Sequence, residues 1–252
     1  MSPELDRADP DHAPFIGVLM LDTQFHRYPG DIGNSKSWSM PVRFQIVHGA
    51  RPAQVVFGDP QGLLEPFIVA GLELVAQGAR AITTSCGFLA LFQRELAAAL
   101  PVPVFTSSLL QIPMIKIGLP EGKRVGILTF SAEALGQRHL AAAGAPLDTP
   151  IQGLPADSLF ARYYGNQPCT ADLDIFQDET IAAARALVAI HPDIGAILCE
   201  CTNLPPHSHA IAAATGLPVF DVMTMLNWLG QSLSPRQYQA TGNSRRPDNS
   251  VP

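Results

Sequence analysis

Short apolar runs of strand length alternate along this chain with segments whose apolar residues recur at helical spacing. Phe15–Leu21 is apolar without interruption, as a strand buried on both faces must be. Residues 41–47 predict a second strand. Residues 65–77 put Phe67, Ile68, Gly71, Leu72 and Val75 on one stripe, which predicts a helix. The order continues with strand 81–85, helix 87–100, strand 102–106 and helix 109–117, closed by the turn Glu121-Gly122-Lys123. It then restarts: strand 124–130, helix 132–143, strand 149–154. Helix 172–190 has an acidic first turn, where the helix dipole favours negative charge. Strand Ile194–Cys199, helix 207–215, strand 217–222 and helix 223–231 complete the pattern.

This alternation implies an α/β fold with parallel sheets covered on both faces. The sequence also repeats itself. Residues 81–105 read AITTSCGFLALFQRELAAALPVPVF, and residues 196–220 read AILCECTNLPPHSHAIAAATGLPVF. Each opens with Ala-Ile and has a cysteine five residues on. Each has a leucine three residues past the cysteine and Pro-Val-Phe beginning 17 residues past it. Gly17-Val18-Leu19 and Gly126-Ile127-Leu128 match in the opening strands, 109 residues apart, against 115 for Cys86 and Cys201; a six-residue insertion in a loop reconciles the offsets. The expected architecture is two pseudo-symmetric lobes, each a mainly parallel sheet flanked by helices. The site is expected in the cleft between them, at the carboxyl ends of the strands. Lobe 1 takes residues 14–118 plus 218–233 and lobe 2 takes 119–217. Residues 1–13 and 234–252 are expected to be flexible tails.

Composition narrows the class. Apolar residues make up 47% of the 252 and charged residues 15%, a globular balance. A net charge of −6 with no Lys/Arg run argues against nucleic acid or an anionic membrane as partner. No apolar run reaches the length of a membrane span, and the acidic N-terminus lacks the core of a signal peptide, so a cytoplasmic protein is expected. The four cysteines are expected to be free thiols. None of the three lysines follows a Schiff-base motif, which disfavours pyridoxal phosphate while leaving Lys36 open. There is no glycine-rich dinucleotide fingerprint, phosphate loop or Gly-x-Ser-x-Gly elbow.

The chemistry centres on Cys86 and Cys201. A thiol between a strand and a helix is expected to have its thiolate stabilised by the helix N-terminus, whose free N–H groups can also hold a carboxylate. Thr84, Ser85, Thr202 and Asn203 flank the thiols with hydroxyl and amide groups. A buried cysteine is often only a small hydrophobe, but two at equivalent points of a repeat favour function. Cys199 reads as strand packing and Cys169 as an incidental loop residue. Cys199, Cys201, His207 and His209 do not make a convincing metal set, because both histidines should face along a helix. Asp22 and Thr23 end the first strand and are expected at the crevice; the competing reading of Asp22 is a turn cap. Residues 24–40 form a long loop suited to binding or closure. Within it Arg27 could pair with a carboxylate, while Asp31, Asn34 and Trp38 are weaker candidates. Ser131 could supply a hydroxyl from the second half.

These turns resemble the aspartate/glutamate racemase superfamily, which includes hydantoin racemases, maleate isomerases and arylmalonate decarboxylase. The resemblance covers about residues 15–230 and rests on Gly17 through Asp22-Thr23, on Thr84-Ser85-Cys86 and on Cys201-Thr202-Asn203-Leu204-Pro205. It implies Cys86 and Cys201 as an acid/base pair acting without a cofactor. Ser85, Gly87, Thr202 and Asn203 would then bind substrate, with Asp22 and Thr23 in support. Three places depart from the pattern: Gly87-Phe88 stands where amino-acid racemases have Asn-Thr, Glu200 stands where they have Gly, and Asn203 stands where they have His. The first removes polar groups that hold an amino acid and leaves room for a less polar substrate. The expected function is racemisation or epimerisation at a carbon next to a carboxylate or carbonyl. The alternatives are cis–trans isomerisation or decarboxylation of a small diacid, and non-catalytic binding of a small molecule. The expected partner is a small carboxylate or amino-acid-like substrate, with a homodimer possible.

Overall fold

β1 (Phe15–Leu21) is buried along its whole length, so its alternating side chains need apolar cover on both sides. The computed structural model describes residues 14–236, and the rest of the two expected tails lies outside the described residues. β1 lies between β2 (Val42–Val47) and β3 (Ala79–Thr84), with β4 (Val104–Phe105) beyond β3; all pairs are parallel. The second sheet repeats that order. β5 (Arg124–Thr129) lies between β6 (Ile151–Gly153) and β7 (Ile194–Cys199), with β8 (Val219–Phe220) beyond β7. Even the irregularity recurs: the register slips after the first residue of β1 against β3 and of β5 against β7. The expected two-lobe α/β architecture is therefore present.

Helices α1 (Pro52–Phe57), α2 (Leu64–Ala76), α3 (Gln93–Ala99) and α4 (Ile112–Gly118) accompany the first sheet. α5 (Gln137–Ala142), α6 (Leu159–Tyr164), α7 (Leu173–Ile190) and α8 (Ser208–Thr215) accompany the second, and α9 (Val222–Leu233) closes the described chain. One face of β1 (Ile16, Val18, Met20) packs on Val222, Met225, Leu226 and Leu229 of α9. The other (Leu19, Leu21) packs with Phe67 and Leu74 of α2. That cluster continues into the second lobe through Val125, Ile127 and Leu198, so the lobes share one core. The opposite face of the second sheet packs Leu128 and Ile197 on Phe176 and Leu187 of α7.

Several boundaries differ from the sequence reading, among them that of the expected helix 132–143, which begins only at Gln137. β8 bonds to β7, so residues 218–220 belong to the second sheet rather than to lobe 1. The chain returns to the first lobe at Asp221, whose carboxylate caps α9 by accepting the Thr224 N–H at 2.8 Å. The expected helix 87–100 is a 3-10 segment (Gly87–Phe92) followed by α3. α1 and α6 were not expected. Each has only six residues, and α6 is capped across the lobe by Glu179, which accepts the Leu159 and Phe160 N–H groups at 2.7 and 2.9 Å.

Gly17 and Gly126, the matched glycines of the opening strands, share a reason. A Cβ at Gly17 would lie 2.7 Å from Ile82 and 2.9 Å from Leu74; one at Gly126 would lie 2.5 Å from Ile194 and 3.0 Å from Leu187. In each lobe the glycine lets the main helix sit down on the sheet. Gly17→Val and Gly126→Val are each expected to destabilise by about 1–3 kcal/mol through overpacking, read from denaturant midpoints.

The second-lobe core also encloses a titratable ring. His207 packs against Phe160 and Phe176 with Nε2 unpartnered, and burial lowers its imidazole to about 4. The unfolded chain therefore binds a proton that the folded one refuses as pH falls below about 6.5. Stability should drop by up to about 3 kcal/mol between there and about pH 4. Urea midpoints across that range are expected to lose this component in His207→Phe.

Candidate active site

β3 and β7 end at equivalent points, and the same backbone bond closes each turn: Ser85 N–H donates to Leu19 O at 2.9 Å, and Glu200 N–H to Leu128 O at 2.8 Å. The next residue on each is the cysteine. The turns are tied to one another by the Thr202 hydroxyl, which donates to the Ser85 carbonyl at 2.7 Å. Cys86 and Cys201 consequently line one pocket, with about 450 Å³ of empty space in it and at its mouth.

Six of the eight expected binding residues line that pocket: Thr23, Arg27, Ser85, Gly87, Thr202 and Asn203. Asp22 does not. Leu21 and Thr23 reach the pocket, so alternation along the extended chain sends Asp22 to the other side, where it accepts the Gly49 N–H at 3.2 Å. The competing reading, a turn cap, is the observed one. Ser131 is likewise outside; it accepts the Ala134 N–H at 3.4 Å and borders a neighbouring cleft. Cys199 is fully buried in strand packing, as expected.

The long loop 24–40 reaches across to the second turn. Arg27 donates to Asp31 Oδ1 at 2.8 Å and to Thr23 Oγ1 at 3.1 Å, and lies 4.7 Å over the Phe25 ring. Asp31 is wholly buried and also accepts from Gly33 N–H and from the Asn203 amide. Asn203 in turn accepts the Cys201 thiol at 3.5 Å. The chain Arg27–Asp31–Asn203–Cys201 thus fixes one thiol from the opposite lobe. Asp31, weakly rated from sequence, is its centre.

The thiols are not resting thiolates. Cys86 is pushed up to about 12, by burial first and by the charge of Glu200 second. The N–H groups of Phe88 and Leu89 do favour its thiolate, as expected of that turn, but they are outweighed. Cys201 is raised for the same two leading reasons. It also stands apart from helix geometry, since the helical turn that follows begins only at Pro205. The walls explain the desolvation: Leu21, Phe25, Val56, Phe88 and Phe130 leave little polar surface around the sulfurs.

Two further pocket residues escaped the sequence reading of the site. Glu200 is fully buried, its carboxyl raised to about 7 by burial, with Oε2 accepting the Thr129 hydroxyl at 2.6 Å. A lone carboxylate ending an apolar strand was the available signal. Tyr164 faces the pocket from α6 with its hydroxyl buried and unpartnered; nothing local announces that placement.

No family model matches the chain. The chain is 31% identical over 216 residues to a dimethylsulfoniopropionate lyase of Durusdinium sp. clade D, covering 82% of this chain and 71% of that protein. It is 32% identical over 228 residues to dimethylsulfoniopropionate lyase 7 of Emiliania huxleyi (strain CCMP1516), covering 85% and 65%. It therefore spans slightly under two thirds of the second relative's length. Among solved structures, unliganded arylmalonate decarboxylase superposes with a TM-score of 0.57 at 16% identity over 93% of this chain and 96% of that one. A glutamate racemase isoform of Bacillus anthracis gives 0.55 at 15% (89% and 84%), and Picrophilus torridus aspartate racemase 0.52 at 15% (89% and 96%). The structures speak for the fold and the sequences for kinship: this chain belongs to the family of the dimethylsulfoniopropionate lyases, on the fold of the aspartate/glutamate racemase superfamily.

Proposed function

We propose that this protein is a carbon–sulfur lyase acting on a 3-sulfoniopropionate such as dimethylsulfoniopropionate. It removes a proton from the carbon next to the carboxylate and expels the sulfide from the next carbon. The observation that carries the reading is the pair of thiols in one pocket, set beside kinship to enzymes named for that substrate. The carbon acid is weak, so the base must sit in a dry site and the growing negative charge must be held. Arg27 and Thr23 both line the pocket, which supports their holding the carboxylate. The rings of Phe25, Phe88, Phe130 and Tyr164 suit a sulfonium, which carries positive charge without N–H donors and is attracted to aromatic faces.

In the elimination, the α C–H pair becomes the C=C bond of acrylate. The C–S pair leaves with neutral dimethyl sulfide, and the proton passes to a thiolate. Nothing else needs to be oxidised or reduced. A second reading, inversion at a carbon α to a carboxylate, is supported by the equivalence of Cys86 and Cys201 on matched turns. Two-sided proton transfer needs both thiols, whereas elimination needs one as base.

Incubation with dimethylsulfoniopropionate is expected to release dimethyl sulfide and acrylate in equal amounts, followed by headspace gas chromatography and ultraviolet absorbance. Cys86→Ser and Cys201→Ser are expected to separate the roles: the variant lacking the base loses about 10²–10⁴-fold in kcat. No sulfide from the intact protein, together with deuterium entering chiral acids from heavy water, would replace the lyase reading with the racemase one. Arg27→Lys keeps the charge but loses the planar fork, so KM should rise about 10–100-fold while kcat changes little.

A further inference from the structure

Glu200 is the pocket group without a task in the chemistry above. One oxygen of its carboxyl is satisfied by Thr129; the other, Oε1, is buried with no hydrogen-bond partner. Oε1 presses against the first cysteine turn, where a Cβ on Gly87 would lie 2.2 Å from it. Two of the positions at which the cysteine turns depart from the racemase pattern therefore occupy one volume: the missing side chain at Gly87 admits the carboxyl of Glu200. Stability does not account for this arrangement, because a buried carboxyl oxygen with no donor to accept from costs free energy.

We propose that Glu200 is a proton-transfer residue, exchanging a proton with the thiols so that the pocket carries a single negative charge that moves between carboxylate and thiolate. The titratable groups around it are Cys86 on the first turn, Cys201 on its own and Cys199 at the end of β7, whose thiol its charge also raises, with Arg27, Asp31 and Tyr164 lining or bordering the pocket. Thr129 faces it from β5 and is uncharged. Asp31 is already engaged by Arg27, Gly33 and Asn203, which leaves Glu200 as the carboxyl with a free oxygen. Losing a thiol proton to solvent while Glu200 is ionised would place two negative charges in one dry pocket. Passing that proton to Glu200 relocates the charge and removes the repulsion that raises both thiols.

This role rests on the lyase reading for its substrate step. The thiol S–H bond breaks and its proton forms O–H on Glu200. The thiolate then takes the α-proton, re-forming S–H, as the C=C bond forms and the sulfide departs. Glu200 afterwards gives its proton to water, so one proton leaves per turnover, as conversion of the zwitterion to acrylate and neutral sulfide requires.

The test has an arm that needs no substrate. Iodoacetamide alkylation of Cys86 and Cys201, mapped by peptide mass spectrometry, is followed from about pH 5 to about pH 10. With a shared charge, the logarithm of the rate climbs to about pH 7, where Glu200 titrates, and then levels off; in Glu200→Gln it climbs throughout. Thr129→Val keeps the carboxyl but removes its hydrogen bond, so the plateau should start at higher pH. That variant decides the matter if Glu200→Gln does not fold. In turnover, Glu200→Gln should lower kcat about 100-fold or more with KM near that of the parent, and Glu200→Asp should recover part of the loss. A plateau absent from the parent or retained in Glu200→Gln, or turnover by Glu200→Gln close to that of the parent, overturns the assignment. A parent that releases no dimethyl sulfide defeats the lyase reading alone, since the alkylation profile still reports on Glu200.

Discussion

The hydrogen bond from Thr202 to the Ser85 carbonyl sets one cysteine turn against the other, and the rest of the site depends on that closure. It joins the carboxyl end of β3 to that of β7, each already fixed to the central strand of its sheet. With the turns in register, Cys86 and Cys201 share a pocket, and the Glu200 carboxyl enters the space left by Gly87. The second tie, Arg27–Asp31–Asn203, works from the loop after β1 and holds the Cys201 thiol by its hydrogen-bond acceptor. Both ties cross between lobes, so lobe packing and thiol geometry are one constraint.

That closure also dries the site. A thiol at a strand–helix turn would ordinarily be pulled toward the thiolate, and amide groups do face Cys86. Burial wins because the walls are apolar and the negative charge of Glu200 outweighs the positive charge of Arg27. A buried sulfur of high proton affinity is a stronger base once ionised than an exposed one, at the cost of being rarely ionised. Such a site needs an internal proton acceptor, and the geometry leaves a carboxyl oxygen free at the right turn.

The fold itself is shared with racemases and a decarboxylase at about 15% identity, which shows how little of the chemistry the scaffold dictates. The character of this pocket is carried by a few side chains. Gly87 and Glu200 redistribute the polar groups, and Phe25, Phe88, Phe130 and Tyr164 make the walls aromatic.

From sequence alone the repeat was legible, because it is written in local spacing. Two opening strands carry a glycine that admits a helix, two strands are each followed by a turn with a cysteine, and two returns read Pro-Val-Phe. Strand and helix order followed from periodicity, and β1 and β7 fall where the pattern put them. Ser85, Gly87, Thr202 and Asn203 reach the pocket because chain neighbours of a cysteine at a strand end have little freedom to be elsewhere, and Thr23 and Arg27 reach it from the loop after β1. Asp22 was misplaced by one step of strand alternation, and α1 and α6 were missed because helices of six residues are held by tertiary contacts rather than by propensity. Glu200 and Asp31 acquire their meaning only from groups far off in sequence: Gly87 and Thr129 for one, Asn203 for the other. Spacing fixes which residues can share a face, whereas burial, charge coupling and proton affinity arise only when the two lobes close on each other and exclude water.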